Sequence, residues 1–244
     1  MKQRIVAIIP AAGLGIRMGS KKPKQFLKVN GIPLLALTLR AFQESGVIDR
    51  VIVVVPGEEI EACQRDIVLR YGFDKVENIV AGGVRRQDSV RLGIEAAGSD
   101  VDLVVIHDGV RPLVDRALVE RVISAARICG AAAAGMLARE TVKETDSRGE
   151  VIRTLDRSNI WLVQTPQVFT YELIRDAHER AWQEAWSEAT DDAGLVERLG
   201  VKVKMVTGSE TNIKVTTPMD LDVIRFMMGK EGDPFTDRED RNRL

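Results

Sequence analysis

The sequence has few of the residues on which disulfide frameworks and metal centres depend. Its 244 residues include only two cysteines, Cys63 and Cys129, and two histidines, His107 and His178. The cysteines lie far apart and in no CxxC motif, which argues against a disulfide framework and a cysteine zinc site. Such sparse cysteine use is typical of a reducing compartment, and we expect a cytoplasmic protein.

Excess charge and long apolar runs are also lacking. The formal net charge is −1, so no global attraction to nucleic acid or to anionic membranes is expected. No apolar run approaches the ~18 residues of a membrane span, and the N-terminal run breaks at Pro10, as in a buried strand. Any polyanion must therefore be bound locally, and we predict neither a nucleic-acid nor a membrane partner.

Short β-branched runs alternate with longer amphipathic segments, which predicts a parallel α/β sheet in one main domain. A helix predicted at 171–188 carries Trp182 and Trp186, which we expect to pack in the core. Strands are predicted at 5–9, 51–55, 76–80, 103–106, 131–136 and 201–206, and further helices at 34–45, 60–71, 88–97, 118–129, 192–199 and 220–228.

The segment 141–156 departs from this pattern, because it is polar, alternating, and has Gly149 near its middle. It predicts a β-hairpin that has little to bury against inside one domain. We divide the chain into a main domain at 1–228, with a β-arm at about 138–158, and a charged tail at 229–244 that we expect to be mobile.

A small-residue loop follows the first predicted strand, at residues 10–19, and its backbone N–H groups can point at a phosphate. Arg17 and Lys24 add positive charge beside it. A dinucleotide-binding fingerprint is the alternative, but Gly19 comes one residue too late for its third glycine. The loop is not a Walker A loop either, because no Gly-Lys-Ser/Thr follows.

Two charged residues are candidates for the same site. Asp108 ends a buried strand at the edge where open α/β sheets bind ligands, and its carboxylate can hold hydrated Mg²⁺ against a triphosphate. A turn or helix-cap aspartate is the alternative. Lys214 is predicted within a short strand, where it faces either a polar site or solvent. Arg111 offers a further anion contact, whereas His107 is interpreted as structural.

A polar helix start follows Gly83 and offers hydrogen bonds to a base or a ribose. The polar residues that we single out there are Arg85, Arg86, Asp88 and Ser89.

Seven motifs, in this order, resemble the 2-C-methyl-D-erythritol 4-phosphate cytidylyltransferases of the non-mevalonate isoprenoid pathway. They run from residue 5 to about residue 226, and together they are highly specific. The motifs are PAAGLGIRMG with PKQF, GGVRRQDSV, HDGVRP, ETVKET, LDRSNIW, QTPQVF and NIKVTTPMDL.

The resemblance implies a Rossmann-like α/β nucleotidyltransferase with a mainly parallel central sheet and a protruding β-arm that hooks onto a second subunit. It implies transfer of CMP from CTP to methylerythritol 4-phosphate, assisted by Mg²⁺ or another divalent cation, in a homodimer. Arg17, Lys24 and Lys214 would surround the triphosphate as catalytic residues. The implied CTP-binding residues are Ala11, Ala12, Gly13, Gly15, Gly83, Ser89 and Asp108, the last also facing the metal, directly or through water. The implied substrate-binding residues are Arg111, Thr141, Arg157 and Thr165, of which Thr141 and Arg157 reach across from the partner.

One departure and several alternatives accompany this interpretation. Val84 stands where relatives can carry an acidic residue, so cytosine recognition is expected to rest on backbone groups and Ser89. A ribitol 5-phosphate cytidylyltransferase shares the first loop and the QTPQ motif, although Thr141, Arg157 and Trp161 favour the methylerythritol enzymes. A sugar-1-phosphate uridylyltransferase shares only the first loop. A non-catalytic nucleotide-binding protein is the remaining alternative.

Overall fold

The computed structural model describes residues 3–13, 23–186 and 189–231. The strands in these ranges are β1 (Ile5–Pro10), β2 (Lys28–Val29), β3 (Ile32–Pro33), β4 (Arg50–Val55), β5 (Val76–Ala81), β6 (Leu103–Ile106), β7 (Ala131–Leu137), β8 (Lys143–Thr145), β9 (Val151–Thr154), β10 (Trp161–Thr170) and β11 (Lys204–Thr207). The α-helices are α1 (Leu34–Glu44), α2 (Ile60–Cys63), α3 (Arg86–Ala97), α4 (Arg116–Cys129), α5 (Tyr171–Gln183), α6 (Asp192–Arg198) and α7 (Pro218–Glu231). A π-helical segment, Gln64–Leu69, continues α2.

The main sheet has seven strands in the order β11-β7-β10-β6-β1-β4-β5. The pairs β1–β4, β1–β6, β4–β5 and β7–β11 are parallel, and β10 is antiparallel to both β6 and β7. From β1 the chain moves outward to β4 and β5, and then returns to β6 on the other side of β1. Ligands of open α/β sheets bind at such a switch point, outside the carboxyl ends of the strands.

Both faces of the sheet are buried, because alternate residues of each central strand enter different cores. In β1, Ile5, Ala7 and Ile9 pack with α1, α2, α4 and α7, whereas Val6 and Ile8 pack with α3, α5 and α6. This explains why the central strands are apolar throughout instead of alternating. No helix within the described ranges is long and apolar enough to cross a membrane.

The predicted strands of the main sheet are confirmed, with boundaries shifted by a few residues, but β10 was not predicted. Gln164, Thr165 and Gln167 break its apolar pattern, and the structure satisfies them with distant partners. Gln167 is fully buried, donates from Nε2 to Asp191 at 2.7 Å and accepts from the Ala193 N–H at 2.9 Å. Sequence periodicity cannot anticipate such pairing.

Three helix predictions need correction. The helix predicted at 171–188 ends at Gln183, so Trp186 lies outside it, although Trp186 is partly buried and packs against the core as predicted. Trp182 is 56% exposed beneath the Arg91 guanidinium instead of in the core. The segment 60–71 is helical throughout, as predicted, but its middle residues, Gln64–Leu69, form a π-helix instead of an α-helix. Helix α7 runs to Glu231, three residues beyond the predicted boundary at 228, and residues 232–244 of the predicted tail lie outside the described residues.

The predicted hairpin is present as β8 and β9, which pair antiparallel. Gly149 takes φ +83° in its turn, a conformation that glycine adopts without steric cost. Both Val151 and Ile152 are more than half exposed. The β-arm therefore presents apolar side chains that its own domain does not cover.

Candidate functional site

A cavity of about 800 Å³ opens at the carboxyl ends of β1, β4, β5 and β6, at the switch point. It is bordered by the segments that follow these strands and by the stretch before α7. The predicted residues that line it are Ala11, Ala12, Gly13, Lys24, Gly83, Ser89, Asp108 and Lys214. Arg85, Arg86 and the fully exposed Val84 line it as well.

Two glycines allow the loops after β1 and β5 to meet. A Cβ on Gly82 would lie 2.2 Å from the Ala12 Cβ and 2.9 Å from the Ser89 Oγ, closer than real contacts allow. A Cβ on Gly83 would lie 2.4 Å from the Asp88 Cβ. Only glycine fits here, so the cavity wall consists of backbone that a ligand can approach closely.

Ser89 is buried, and its hydroxyl holds the loop after β5. It accepts from the Gly83 N–H at 3.1 Å and donates to the Arg85 carbonyl at 3.2 Å. The Asp88 carboxylate accepts from the Arg85 backbone N–H at 3.1 Å and so fixes the start of α3. The predicted polar helix start is therefore a rigid cavity wall.

Asp108 is the centre of a group of charges that we call the Asp108 cluster: Asp108, Arg86, Arg111 and Lys214. Its Oδ1 lies 3.1 Å from Arg86 Nε, and its Oδ2 lies 3.2 Å from Arg111 Nε and 3.0 Å from Lys214 Nζ. Burial opposes ionisation of Asp108, but attraction to the three cations outweighs it and lowers the pKa of the carboxyl group. One carboxylate facing three cations leaves the cluster with net positive charge.

The backbone of Asp108 is held by a buried relay. Thr165 Oγ1 accepts from the Asp108 N–H at 3.1 Å and lies 3.0 Å from His107 Nδ1. Burial lowers the pKa of His107 to about 3, so the ring is neutral near pH 7. The Thr165 hydroxyl therefore donates to Nδ1, and Nε2–H points to the Arg111 carbonyl at 3.4 Å. His107 is thus fully buried and contacts nearby backbone.

Lys214 lies in the irregular segment 212–216 between β11 and α7, so its prediction within a strand is wrong. Tertiary hydrogen bonds hold the segment instead of a ladder. The Val215 N–H donates to the Val110 carbonyl at 2.9 Å, and Lys24 Nζ donates to the Val215 carbonyl at 3.3 Å. Arg111 Nη1 donates to the Asn212 carbonyl at 2.8 Å. The segment thereby brings Lys24 and Lys214 to one side of the cavity.

The other predicted residues have different positions. Arg17 and Gly15 lie outside the described residues. Arg111 and Thr165 are buried behind the cavity, in contact with Asp108. Thr141 and Arg157 are exposed in the β-arm, where Arg157 donates to the Arg139 carbonyl, and neither lines the cavity of its own chain.

Sequence reasoning missed the residues behind Arg86. Arg86 was noted as part of a polar helix start, but its partner Asp192, 2.8 Å away, and the neighbouring His178 were not candidates. Nothing in the local sequence distinguishes Asp192 from an ordinary residue at a helix start. Only the tertiary structure brings it to the cavity wall.

The cavity suits a metal ion that is held mainly by the oxygens of a bound small molecule and less by the protein. Within the described ranges, no group of three or more His, Cys, Asp or Glu side chains could hold a metal. Asp108 Oδ2 is engaged by two cations and Oδ1 by one, which leaves acceptor capacity on Oδ1. One carboxylate together with phosphate oxygens and water is the arrangement that Mg²⁺ favours in nucleotide sites.

Comparison with known proteins identifies the family. The family model described as IspD: 2-C-methyl-D-erythritol 4-phosphate cytidylyltransferase matches residues 5–230. The chain belongs to this family. The 2-C-methyl-D-erythritol 4-phosphate cytidylyltransferase of Syntrophus aciditrophicus is 47% identical over 231 residues, which cover 95% of this chain and 98% of that protein. The protein of the same name from Desulforamulus reducens is 49% identical over 218 residues, covering 89% and 92%.

Solved structures of the cytidylyltransferase family have the same fold as this chain. A crystal structure of 4-diphosphocytidyl-2C-methyl-D-erythritol synthase from Anaerococcus prevotii superposes with a TM-score of 0.82 at 32% identity, covering 93% of this chain and 97% of that one. The family enzyme of Thermus thermophilus gives a TM-score of 0.73 at 35% identity, covering 93% and 98%. The predicted Rossmann-like fold and cytidylyltransferase class are thereby confirmed.

Proposed function

We propose that the chain transfers CMP from CTP to 2-C-methyl-D-erythritol 4-phosphate and releases pyrophosphate. The observation that carries this proposal is the Asp108 cluster, which places net positive charge in a cavity at the switch point of the sheet. Lys24 stands beside it and increases that charge. A triphosphate is the ligand that such a site favours.

In this proposal the phosphate oxygen of the alcohol attacks the α-phosphorus of CTP in line with the departing pyrophosphate. A phosphate is already ionised at pH 7, so the reaction needs no general base. Lys24 and Lys214, together with Arg17, neutralise the charge that builds on the transferred group and the leaving group. Alignment and charge stabilisation supply most of the catalysis in such transfers.

The loops after β1 and β5 bind the nucleoside part of CTP in this proposal. Ala11, Ala12 and Gly13 offer backbone groups after β1, and Gly83 approaches from β5. Asp108 faces the ribose or the magnesium shell. Mg²⁺ or another divalent cation, when bound to the triphosphate, would withdraw charge from its oxygens, and Asp108 is the residue that would hold it.

The substrate side of the site requires a second copy of the chain in this proposal. Thr141 and Arg157 are exposed on the β-arm and do not line their own chain's cavity, which supports a homodimer in which each arm reaches the partner's site. Arg111 and Thr165 act from behind Asp108. A cytoplasmic location belongs to the same proposal, supported by the free thiols of Cys63 and Cys129.

Pyrophosphate release tests the reaction and its substrates. Purified protein is mixed with CTP, Mg²⁺ and either methylerythritol 4-phosphate or ribitol 5-phosphate, with UTP and ATP replacing CTP as controls. We expect rapid release only with CTP and methylerythritol phosphate. Pyrophosphate release with ribitol 5-phosphate instead would change the assigned substrate. No pyrophosphate release in any mixture would contradict the proposed function.

Val84 makes the UTP control informative. Its side chain is fully exposed at the cavity edge. We expect the chain to prefer CTP over UTP nonetheless, because backbone groups of the β1 and β5 loops are available to read the base. Equal turnover of CTP and UTP would show that an acidic side chain is needed for base selection.

A further inference from the structure

A second carboxylate lies behind the Asp108 cluster, outside the set of residues that the family resemblance implies. Asp192, the first residue of α6, is 1% exposed, and its Oδ2 lies 2.8 Å from Arg86 Nη1. The same guanidinium contacts Asp108 Oδ1 through Nε at 3.1 Å. Arg86 lines the cavity, so it bridges the site and a carboxylate buried behind the wall.

Asp192 is itself held in place. Attraction to Arg86 outweighs burial and lowers the pKa of Asp192, so its carboxylate is ionised and can only accept hydrogen bonds. His178 is also buried, and its Nε2, 3.2 Å from Asp192 Oδ1, is therefore the donor. The result is a continuous chain of contacts from the buried His178 and Asp192 through the partly exposed Arg86 to Asp108.

The start of α6 does not require this second carboxylate. Asp191 already caps the helix, because its Oδ1 accepts from the Gly194 N–H at 3.0 Å, and its Oδ2 accepts from Gln167 Nε2 at 2.7 Å. A buried ion pair is weak support for stability, since desolvation offsets much of its attraction. The charge of Asp192 is therefore better explained by what it does to Arg86.

A guanidinium is planar, and its N–H groups point in fixed directions. The ion pair between Nη1 and Asp192 therefore restrains the whole plane, including the direction of Nε and with it the position of the Asp108 carboxylate. A displacement of about 1 Å can cost on the order of 10²-fold in rate when reacting groups must align. The bridge thus gives a residue outside the cavity a route to affect the transfer.

We propose that Asp192 is a positioning residue of the transferase site, which acts through Arg86 to fix the direction in which Asp108 presents its carboxylate to the nucleotide. The inference rests on the proposed function for the role of Asp108. The linkage itself does not depend on which alcohol accepts the CMP group.

A double-mutant cycle of Asp192→Asn and Arg86→Gln tests the linkage. Asparagine keeps the shape of Asp192 but removes the charge that faces Arg86. We expect Asp192→Asn to lower kcat by ~10-fold or more in the otherwise native protein, but by less than about twofold when Arg86→Gln is already present. A loss that persists in the Arg86→Gln background, or no loss in the native background, would overturn the proposal.

Asp191→Asn is the matched control. It makes the same change of charge at the adjacent position, and asparagine is a good helix cap. Asp191 has no contact with Arg86 among its hydrogen bonds and ion pairs within the described residues. We expect kcat within about twofold of the native protein. A loss equal to that of Asp192→Asn would assign the effect to the start of α6 and would overturn the proposal.

Calorimetry measures the dissociation constant for CTP in the same four proteins, without the second substrate. Thermal unfolding shows whether each variant is folded. We expect Asp192→Asn to change this constant severalfold only when Arg86 is present. If Asp192→Asn does not fold, Arg86→Gln is compared with the double variant, and a further loss in the double variant would overturn the proposal. A native protein that binds CTP without turnover would contradict the proposed function, while the CTP cycle would still test the linkage.

Discussion

Charge, more than nucleophilicity, distinguishes the residues of the cavity. Asp108 is paired with three cations, and Ser89, the hydroxyl nearest the β5 loop, is occupied in holding that loop. The side chains thus suit a direct transfer in which the protein aligns two anions and neutralises charge.

Lys24→Ala should lower kcat by on the order of 10²-fold with a smaller change in the KM for CTP, because its contact is proposed to tighten in the transition state. Steady-state kinetics with CTP and methylerythritol 4-phosphate measures both constants. Lys28→Ala is the matched control, since Lys28 is an exposed lysine four residues away and does not line the cavity. A change in KM alone for Lys24→Ala would contradict the proposed role of Lys24.

His107 should make stability depend on pH. Its pKa is about 3 in the folded chain against 6.5 ordinarily, so the unfolded chain binds the proton more readily. Stability should be greatest above pH 6.5 and fall by up to about 1.4 kcal/mol per pH unit as the pH drops below it. Denaturant unfolding between pH 7 and pH 5 measures the slope. His107→Gln should be less stable at pH 7 and should have a flatter profile; an unchanged slope would refute the assignment.

At the scale of elements, the cavity depends on loops that approach one another without side chains between them. Gly82 of the β5 loop touches Ala12 of the β1 loop, and Ser89 at the start of α3 ties the β5 loop down. In the sheet β4 lies between β1 and β5, so the two loops meet across the end of β4. The spacing between the loops, more than any one contact, sets the shape of the nucleotide site.

Gly82→Ala should lower the free energy of unfolding by about 1–3 kcal/mol, because the new Cβ cannot be accommodated without moving Ala12 or Ser89. It should also weaken CTP binding, since the two loops must separate. Gly46→Ala is the control, because a Cβ there meets nothing within 4 Å. Equal stability and equal CTP affinity of the two variants would show that the close approach is not required.

The elements also show how far the sequence alone could lead. Apolar runs predicted the main parallel strands, because central strands that are buried on both faces are apolar at every position. Strand β10 was not predicted, because its polar side chains, Gln164, Thr165 and Gln167, are hydrogen-bonded to residues far along the chain. Lys214 was found, but its irregular backbone was not, since hydrogen bonds to Val110 and Lys24 hold it there.

The candidate site was likewise predictable only in part. Motifs identified Lys24, Asp108 and Lys214, and the structure brings them to one cavity. Asp192 carried no local signal, because its significance comes from a contact with Arg86 that bridges two helix starts. Residues whose role is to orient another residue are visible only when the tertiary structure is known.

At the scale of the whole molecule, we propose that the site is shared between two chains. Lys214→Ala and Arg157→Ala should each be nearly inactive alone, and mixing them with subunit exchange should restore activity. Half of the exchanged dimers are mixed, and each has one intact site, so about a quarter of the native activity is expected. Exchange is verified with tags of different mass. Verified exchange without recovery would show that Arg157 acts within its own chain or not at all.

The stereochemistry of the transfer tests whether the substrate phosphate attacks CTP directly. One displacement inverts the configuration at the α-phosphorus, whereas two successive displacements retain it. The native protein is given one diastereomer of CTP with sulfur on the α-phosphorus, together with methylerythritol 4-phosphate, and ³¹P NMR identifies the configuration of the product. We predict inversion, as in-line attack by the substrate phosphate requires. Retention would reveal a covalent intermediate on a protein side chain and would contradict a site built for alignment and charge neutralisation.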